Sequence, residues 1–357
     1  MPMQPDKKLE KNIEGDSAAN RKDIGGSSQI DVARLANVSQ AAVSRTFTPG
    51  ASVSEETRAK VMAAVDQLGY RPNVIARSLV QKSTNIIGLV VKRFTNPFYA
   101  YMIQNFIKAL QEHGYWALIF NIGQNDELDQ ALPTALQYQV DGLIITSATL
   151  SSHQAEECAR AGTPVVLFNR YVSDGHTHLV SCDHCEGGRM VADALLDNGH
   201  QRLAYIAGEE ESSTNRDREI GFLSRLKERG YDLALRESAG DYNYEKGYAA
   251  AERLLDTASP PDAVFCADDV IAMATMDLAR YKLNLRIPED LSVIGFDDIP
   301  PAARPNYKLT TIRQPFNRLV DSTLDVLIKA INTPGASVIE KKVSPSLTWR
   351  NSVRKNN

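Results

Sequence analysis

Four residues near the N-terminus have side chains that can contact the edges of DNA bases. They lie in one short segment: Gln40, Ala41, Ser44 and Arg45. A glutamine can make two hydrogen bonds to adenine, an arginine can make two to guanine, and an alanine methyl can contact the methyl group of thymine. In a helix these four side chains face outward, while Ala42 and Val43 can pack inward. The segment therefore predicts a helix that presents polar side chains to a DNA groove.

A second short helix would hold this one in place. Ser28, followed three residues later by Asp31, is typical of a helix start, and Asn37 can adopt the left-handed conformation that ends a helix. Ser39 can cap the next helix at once. We expect one apolar stripe of the first helix to be buried: Ile30, Val32, Ala33, Leu35 and Ala36. Two helices joined by so short a turn cross steeply, as in a helix-turn-helix unit.

A third helix follows, and a proline after it prevents the helix from continuing. Ser54 is a suitable N-cap, acidic residues occupy the first turn, and Gly69 can end the helix. Its apolar stripe is Val61, Ala64, Val65 and Leu68. Pro72 cannot continue a helix, and Asn73 can cap a new short one.

This segment resembles the headpiece of the LacI family of bacterial transcription regulators. The motifs occur in the same order and spacing: Asp31-Val32-Ala33, Ala36-Asn37-Val38-Ser39, Val43-Ser44-Arg45, Val53-Ser54-x-x-Thr57-Arg58, Gly69-Tyr70-x-Pro72-Asn73 and Ala76-Arg77-Ser78-Leu79. The resemblance implies that eight residues contact DNA: Ser39, Gln40, Ala41, Ser44, Arg45, Asn73, Ala76 and Leu79. Residues 74–80 would form a hinge helix, with Leu79 wedged between base steps in the minor groove. Packing of Leu79 against the next domain is the alternative.

Charge is unevenly distributed along the 357 residues, whose net charge is −4. Residues 27–84 contain seven Lys and Arg against four Asp and Glu, residues 1–26 contain five of each kind, and residues 85–357 carry −7. A basic headpiece on an acidic body is typical of a protein that touches DNA phosphates at one end. The polar residues 1–26 predict a disordered tail without a signal peptide. We expect a cytoplasmic protein with reduced thiols and no membrane segment.

From residue 85 onward, apolar strands alternate with helices. Strands are predicted at 86–91, 116–120, 142–146, 164–168, 202–207, 262–267 and 291–296. Such alternation predicts parallel sheets covered on both faces, and this length favours two sheets over one. The expected organisation is a tail (1–26), a helix-turn-helix domain (27–72), a hinge and linker (73–84) and an effector-binding and dimerisation domain (85–357). Lobe 1 would comprise about 85–182 and 315–340, and lobe 2 about 183–314 and 341–357.

Polar and aromatic residues follow several of these strands, where open parallel sheets bind ligands. Their arrangement resembles the effector domain of the LacI family, which shares its fold with periplasmic sugar-binding proteins. By this resemblance three residues would hold ligand hydroxyls: Arg218, Asp268 and Asp297. Tyr242 would stack on the ligand, Asn96 and Phe98 would close the wall of the first lobe, and Gln314 belongs to the same site.

Each of these assignments has a structural alternative. An acidic residue after a strand is often a helix N-cap; we expect that role for Asp269 and Asp298, and ligand contact for Asp268 and Asp297. An ordinary core position is the alternative for Tyr242. A sugar is the preferred ligand over a purine. The sequence leaves the ligand open, because Ser147 and Ala148 provide no acidic group and purine-binding members of the family keep a similar Arg and Asp.

The sequence contains little that indicates an enzyme active site or a metal site. No G-x-G-x-x-G or phosphate-binding loop follows a predicted strand, and we expect neither catalysis nor a cofactor. The segment Cys182-Asp183-His184-Cys185 has the spacing of a metal or redox pair. No second pair lies at a suitable distance, so incidental thiols are the preferred interpretation.

Together these observations predict an all-α helix-turn-helix headpiece followed by an α/β periplasmic-binding-protein-like domain of two parallel-sheet lobes. The expected function is sequence-specific transcriptional repression controlled by a small-molecule effector. A homodimer is expected, because one headpiece reads one half of a palindromic operator. Residues 344–357 have no leucine heptad, so no coiled-coil tetramer is expected. The alternatives are a purine-type corepressor-dependent regulator and a sugar-binding protein without a transcriptional role.

Overall fold

The computed structural model describes residues 27–48, 50–72, 83–92, 95–122, 128–146, 152–171 and 177–356. The chain divides into two compact units, Met1–Lys82 and Ser83–Asn357. Several expectations lie outside the described residues: the tail 1–26, the hinge helix 74–80 with Asn73, Ala76 and Leu79, and the loop of Ser147 and Ala148.

Within its described residues, the first unit contains three helices with the predicted caps: α1 (Gln29–Ala36), α2 (Gln40–Thr46) and α3 (Glu55–Leu68). Ser28 and Asp31 form a reciprocal capping box, and Asn37 ends α1 with a φ of 52°. The Ser39 side chain accepts a hydrogen bond from the backbone N–H of Ala42. Gly69 ends α3 in the left-handed conformation, where glycine meets no steric penalty.

Fewer apolar residues of this unit are buried than the sequence predicts. It is built from small and branched side chains: Val32, Ala33, Ala36, Val43, Val61, Ala64 and Val65. The expectation for two residues of α1 is wrong, because Ile30 is 55% exposed and Leu35 is 44% exposed. Only one side of an eight-residue helix can face two neighbouring helices, and residues 32, 33 and 36 occupy that side.

The described part of the second unit forms two six-stranded sheets, which confirms the predicted fold class. The strands of the first sheet, in spatial order, are β2 (Trp116–Ile122), β1 (Ile86–Lys92), β3 (Gly142–Ile145), β4 (Val165–Phe168), β5 (His178–Cys182) and β11 (Glu340–Val343). All neighbouring strands of this sheet are parallel. The chain leaves this sheet after Val343, a few residues later than the expected position 340.

The second sheet has the same arrangement with one exception. Its strands, in spatial order, are β7 (Leu235–Ser238), β6 (Leu203–Ala207), β8 (Ala263–Cys266), β9 (Ser292–Asp297), β10 (Thr310–Arg313) and β12 (Ser346–Thr348). Its pairs are parallel except that β12 runs antiparallel to β10. Three buried aromatic rings contact one another between this sheet and a covering helix: Tyr205, Phe222 and Phe265.

Helices connect the strands and cover the sheets. They are α4 (Pro97–Glu112), α5 (Leu128–Gln137), α6 (Ser152–Arg160), α7 (His184–Leu196), α8 (Ser213–Glu228), α9 (Tyr244–Leu255), α10 (Asp269–Asp277) and α11 (Phe316–Asn332). A π-helical turn, Leu278–Lys282, extends α10, and a 3₁₀ turn, Pro300–Ala303, follows β9. Because each parallel strand is followed by a crossover, the carboxyl ends of the strands gather at one edge of each sheet.

Candidate functional site

The outer face of α2 carries the side chains that the sequence assigns to base contacts. Gln40, Ala41, Ser44 and Arg45 are all exposed, whereas Ala42 and Val43 are buried. Ser39 is occupied as the N-cap of the helix. The helix therefore has the predicted orientation within its unit, and contact of these residues with DNA bases stays a prediction.

A small cleft of about 30 Å³ lies where the carboxyl ends of the strands of the two sheets face each other. Its lining comes from loops after strands of both sheets: Asn96, Phe98, Tyr99, Thr146, Asn169, Arg170, Thr214, Arg218, Tyr242, Asp268 and Asp297. The structure thus brings together six of the seven residues expected to bind an effector. The seventh, Gln314, lies behind the lining, where it donates to Asp297 Oδ1 at 2.7 Å and accepts from Asn169 Nδ2 at 2.7 Å.

Arg218 is the most tightly held group of the cleft. Its Nε donates to His184 Nδ1 at 3.3 Å, its Nη1 to the carbonyl of Ala267, and its Nη2 to Asp297 Oδ1 at 3.0 Å. The guanidinium carbon lies 3.8 Å from the centroid of the Phe296 ring, a cation–π distance. Since a guanidinium has five N–H groups, these contacts leave two for a ligand.

Asp297 and Asp268 supply the carboxylates of the cleft. Burial raises the pKa of Asp297, and the neighbouring Arg218 opposes this effect. Burial, and then the charge of Asp297, raise the pKa of Asp268 to about 7. Asp297 also has a φ of 118°, a conformation that costs a non-glycine residue about 1–3 kcal/mol. Strain of this kind concentrates at binding sites.

The capping roles of the paired aspartates differ from the expectation. Asp268, not Asp269, is the N-cap of α10 and accepts from the backbone N–H of Ile271 at 2.8 Å. Asp269 is the first residue of the helix and accepts from the Thr311 hydroxyl and the Ile299 backbone. With two adjacent aspartates, a shift of one residue at the strand end exchanges their roles.

The expectation for Asp298 is also wrong. No helix begins at this residue, and its carboxylate forms ion pairs with Arg313 and Arg350. Its φ of 56° continues the left-handed backbone of Asp297. Asp298 therefore fastens the end of β9 to β10 and to the C-terminal segment instead of capping a helix.

Tyr242 is both a buried residue and part of the cleft lining, and its stacking on a ligand stays a prediction. The residue is buried, and its hydroxyl bonds with Ser212 at 2.9 Å and Thr214 at 3.3 Å. Its ring also lines the cleft and packs on Gly208, where a Cβ atom would lie 2.3 Å from the ring. Glycine at position 208 is thus required for the tyrosine to lie flat against the strand end.

Direct hydrogen bonds link the two lobes across the cleft. Asn96 Nδ2 donates to Asp268 Oδ2 at 3.0 Å and to the carbonyl of Tyr242 at 3.2 Å. Arg170, which is 7% exposed, forms an ion pair with Glu209 at 2.8 Å, and the Tyr171 hydroxyl donates to Asp217 at 2.8 Å. The cleft is therefore closed.

Sequence reasoning missed several residues of this lining. They are Tyr99, Thr146, Asn169, Arg170 and Thr214. Asn169 and Arg170 directly follow β4, so the rule that ligands bind beyond the carboxyl ends of strands could have found them. Tyr99 and Thr214 lie inside helices, where no such rule distinguishes them from core residues.

The cysteine cluster has no metal-site arrangement in the part of the chain that is described. Cys182 is buried at the end of β5, Cys185 is half-buried, and both are free thiols. Among the described residues, no group of three or more His, Cys, Asp and Glu could hold a metal ion. Within the same ranges, no helix has the length and hydrophobicity needed to cross a membrane.

Comparison with known proteins places the chain in a family. Residues 30–73 match the family described as bacterial regulatory proteins, lacI family, and residues 192–353 match the periplasmic binding protein-like domain. The ribose operon repressor of Escherichia coli strain K12 is 34% identical over 325 residues, covering 90% of this chain and 98% of the repressor. The chain belongs to the LacI family of bacterial regulatory proteins.

Solved structures agree with this assignment. The lac repressor dimer bound to operator and the anti-inducer ONPF has a TM-score of 0.83 and 25% identity, covering 92% of this chain and 99% of that one. A LacI family regulator from Enterococcus faecium with bound ribose has a TM-score of 0.68 and 27% identity, covering 76% of this chain and all of that one.

Proposed function

We propose that the protein is a repressor whose affinity for operator DNA is controlled by a sugar bound in the cleft. The observation that carries this proposal is the fixed Arg218–Asp297 pair at the closed cleft. Arg218 keeps two N–H groups for a ligand, and only Oδ1 of Asp297 is engaged among the described residues. A donor and an acceptor held side by side suit neighbouring hydroxyls, each of which can accept and donate.

The surrounding side chains fit the same ligand class. Asn96, Asn169, Thr146 and Thr214 add neutral polar groups, and the rings of Phe98 and Tyr242 can cover the C–H side of a sugar ring. Polar groups that fix orientation within an apolar wall are typical of small-molecule sites. A relative with 34% identity is named for the ribose operon, and ribose is therefore the first ligand to test. A purine base is the alternative occupant.

The headpiece would read DNA through the exposed face of α2. Gln40, Ala41 and Arg45 would contact base edges, Ser39 and Ser44 would contact the adjoining DNA, and Asn73, Ala76 and Leu79 would act from the hinge. We propose a homodimer that acts in the cytoplasm on a palindromic operator, since one headpiece reads one half-site. The similar lac repressor was solved as a dimer on operator. Binding, without catalysis, would be the whole activity.

Effector control follows from thermodynamic linkage. A ligand that favours the closed cleft changes the population of one domain arrangement, and DNA that favours the same or the other arrangement responds reciprocally. Couplings of this kind amount to about 1–3 kcal/mol, which corresponds to roughly 5- to 150-fold in DNA affinity.

Two measurements on the full chain test the proposal. Selection from random duplexes should recover a palindrome, and fluorescence anisotropy should then show a change in operator affinity when D-ribose or another sugar is added. A thermal-shift series with sugars and purine bases identifies the ligand class, because a bound ligand raises the apparent melting temperature. Failure to prefer any palindrome over random duplex would refute the DNA function, and a response to purines alone would refute the sugar.

A further inference from the structure

We infer that His184 is a positioning residue of the effector cleft, whose neutral imidazole holds the Arg218 guanidinium at the angle that a ligand meets. The inference rests on the proposed function of the cleft and goes beyond it by naming a residue that acts on the ligand through Arg218. His184 belongs to the cysteine-flanked segment whose spacing suggested metal chemistry, and the structure gives that histidine a different partner.

The contact between the two side chains is buried and specific. His184 is 3% exposed and is the first residue of α7, directly after its N-cap Asp183. Its Nδ1 lies 3.3 Å from Arg218 Nε, and its ring centroid lies 5.5 Å from that of Phe296. Since the Arg218 guanidinium also lies over Phe296, the same ring contacts both groups.

This geometry determines the tautomer of the imidazole. Arg218 is a donor in every protonation state that proteins reach, so Nδ1 of His184 must be the acceptor and Nε2 must carry the proton. A proton on Nδ1 would point at the Arg218 N–H. Burial, and then the positive charges of Arg218, Arg170 and Lys342, lower the pKa of His184 well below its usual value, which keeps the ring neutral.

Two glycines bring the two helices close enough for this contact, and a third lets α7 approach Phe296 of β9. A Cβ at Gly188 would lie 2.2 Å from the Arg218 carbonyl oxygen, and a Cβ at Gly221 would lie 2.0 Å from the Cys185 carbonyl oxygen. A Cβ at Gly187 would lie 2.6 Å from the Phe296 ring. Because these close approaches surround His184 and Arg218 on both helices, backbone packing fixes the pair.

The histidine is a poor choice for stability alone. Its Nε2 is buried and has no hydrogen-bond partner among the described residues, an arrangement that a phenyl ring of similar shape would avoid. An acceptor for Arg218 is what the imidazole provides and a phenyl ring cannot. This contrast separates positioning from packing.

Two variants of the full chain exploit that contrast. His184→Phe keeps a ring over Phe296 and removes the acceptor, whereas His184→Asn keeps a carbonyl acceptor and removes the ring. In calorimetric titration with D-ribose at pH 7.5, we expect His184→Phe to weaken binding about tenfold or more, because the acceptor of the Arg218 Nε–H is lost. The melting temperature should change little, because removal of the unpaired Nε2 offsets the loss of this hydrogen bond. His184→Asn should stay within about threefold of the wild type. The reverse order would overturn the inference.

A second measurement needs no ligand. In ¹⁵N-histidine NMR of the ligand-free wild-type chain, His184 should show an unprotonated Nδ1 and a protonated Nε2, unchanged between pH 8 and pH 5.5, with the exposed His153 as the comparison signal. A protonated Nδ1, or titration in this range, would overturn the positioning role. Absence of ribose binding together with the expected NMR signature would instead count against ribose as the effector and leave the positioning role supported.

Discussion

Replacing Asp268 by asparagine isolates the cost of a buried carboxylate in the cleft. The substitution preserves shape, and asparagine caps helices as well as aspartate does, so the N-cap of α10 is retained. Asp268 is 2% exposed, and its carboxylate accepts from the Ile271 backbone and from Asn96. The change removes one ionisable group and the acceptor of the Asn96 amide.

The magnitude follows from the pKa of Asp268, which rises from 3.8 to about 7 in the folded protein. At 1.36 kcal/mol per pKa unit, this difference corresponds to about 4 kcal/mol. Below the unfolded pKa the carboxyl is protonated in both states and costs nothing. As pH rises from about 4 through about 7, the unfolded chain releases the proton first, so folding stability falls; the loss is complete above pH 7.

Asp268→Asn should therefore become more stable than the wild type as pH rises. The amide loses its favourable contact with Asn96, which offsets the gain by about 1 kcal/mol, and about 3 kcal/mol remains at pH 8. For a unit of this size that corresponds to roughly 6–12 °C in melting temperature. Effector binding should weaken in the same variant, because a carboxylate acceptor is lost.

Thermal unfolding followed by circular dichroism between pH 4.5 and pH 8 measures this difference. Asp256→Asn, at an exposed position at the end of α9, makes the same chemical change without burial and should track the wild type at every pH. If the melting temperatures of Asp268→Asn and wild type differ by the same amount at pH 5 and pH 8, the carboxylate is not destabilised by burial and the reasoning fails.

Three further outcomes test other parts of the molecule. Arg45→Ala should lose about 1–3 kcal/mol of preference for its operator and keep weak binding to random duplex in gel-shift assays; an equal loss on all sequences would contradict base readout. Val32→Ala should lower the free energy of unfolding of the headpiece by about 1–3 kcal/mol in urea unfolding. Ile30→Ala, at an exposed position of the same helix, should change this free energy by less than about 0.5 kcal/mol. Similar losses in the two variants would place Ile30 in the core. Gly221→Ala would bring a Cβ atom to 2.0 Å from the Cys185 carbonyl oxygen and should lower both melting temperature and ribose affinity, while unchanged values would show that α7 and α8 can separate freely.

Local signals in the sequence were sufficient for the helix ends. Ser28, Asn37 and Ser39 act on their own backbone or on residues a few positions away, so their roles do not depend on the rest of the fold. Burial depends on what packs against a helix, which explains why Ile30 and Leu35 are exposed although their spacing is apolar.

The strands that the pattern missed lie at or near the sheet edges. β7 contains Arg236 and Glu237, and β11 is mostly exposed and charged. Such short polar strands lack the continuous apolar run that marks a central parallel strand. The central strands, which carry most of the cleft residues at their ends, do have this continuous apolar run and were predicted.

The sequence predicted which single residues belong to the site, but not which side chains pair with one another. Arg218 and Asp297 were expected to contact the ligand, and the structure places them together in the cleft. The pairing of His184 with Arg218 depends on two glycines in two different helices, a relation that a single sequence does not display. The choice of Asp268 over Asp269 as a cap depends on the last residue of β8, which periodicity locates only to within one or two positions.

The bonds between the lobes also have a kinetic consequence. If the contacts of Asn96 with Asp268 and of Arg170 with Glu209 must break before a sugar enters, each binding event waits for these partners to separate. In rapid mixing, the observed rate of association would level off at high sugar concentration, and that plateau is the rate at which the empty cleft opens. The speed of the regulatory response would then be set by the hydrogen bonds and ion pair between the lobes and not by the sugar supply.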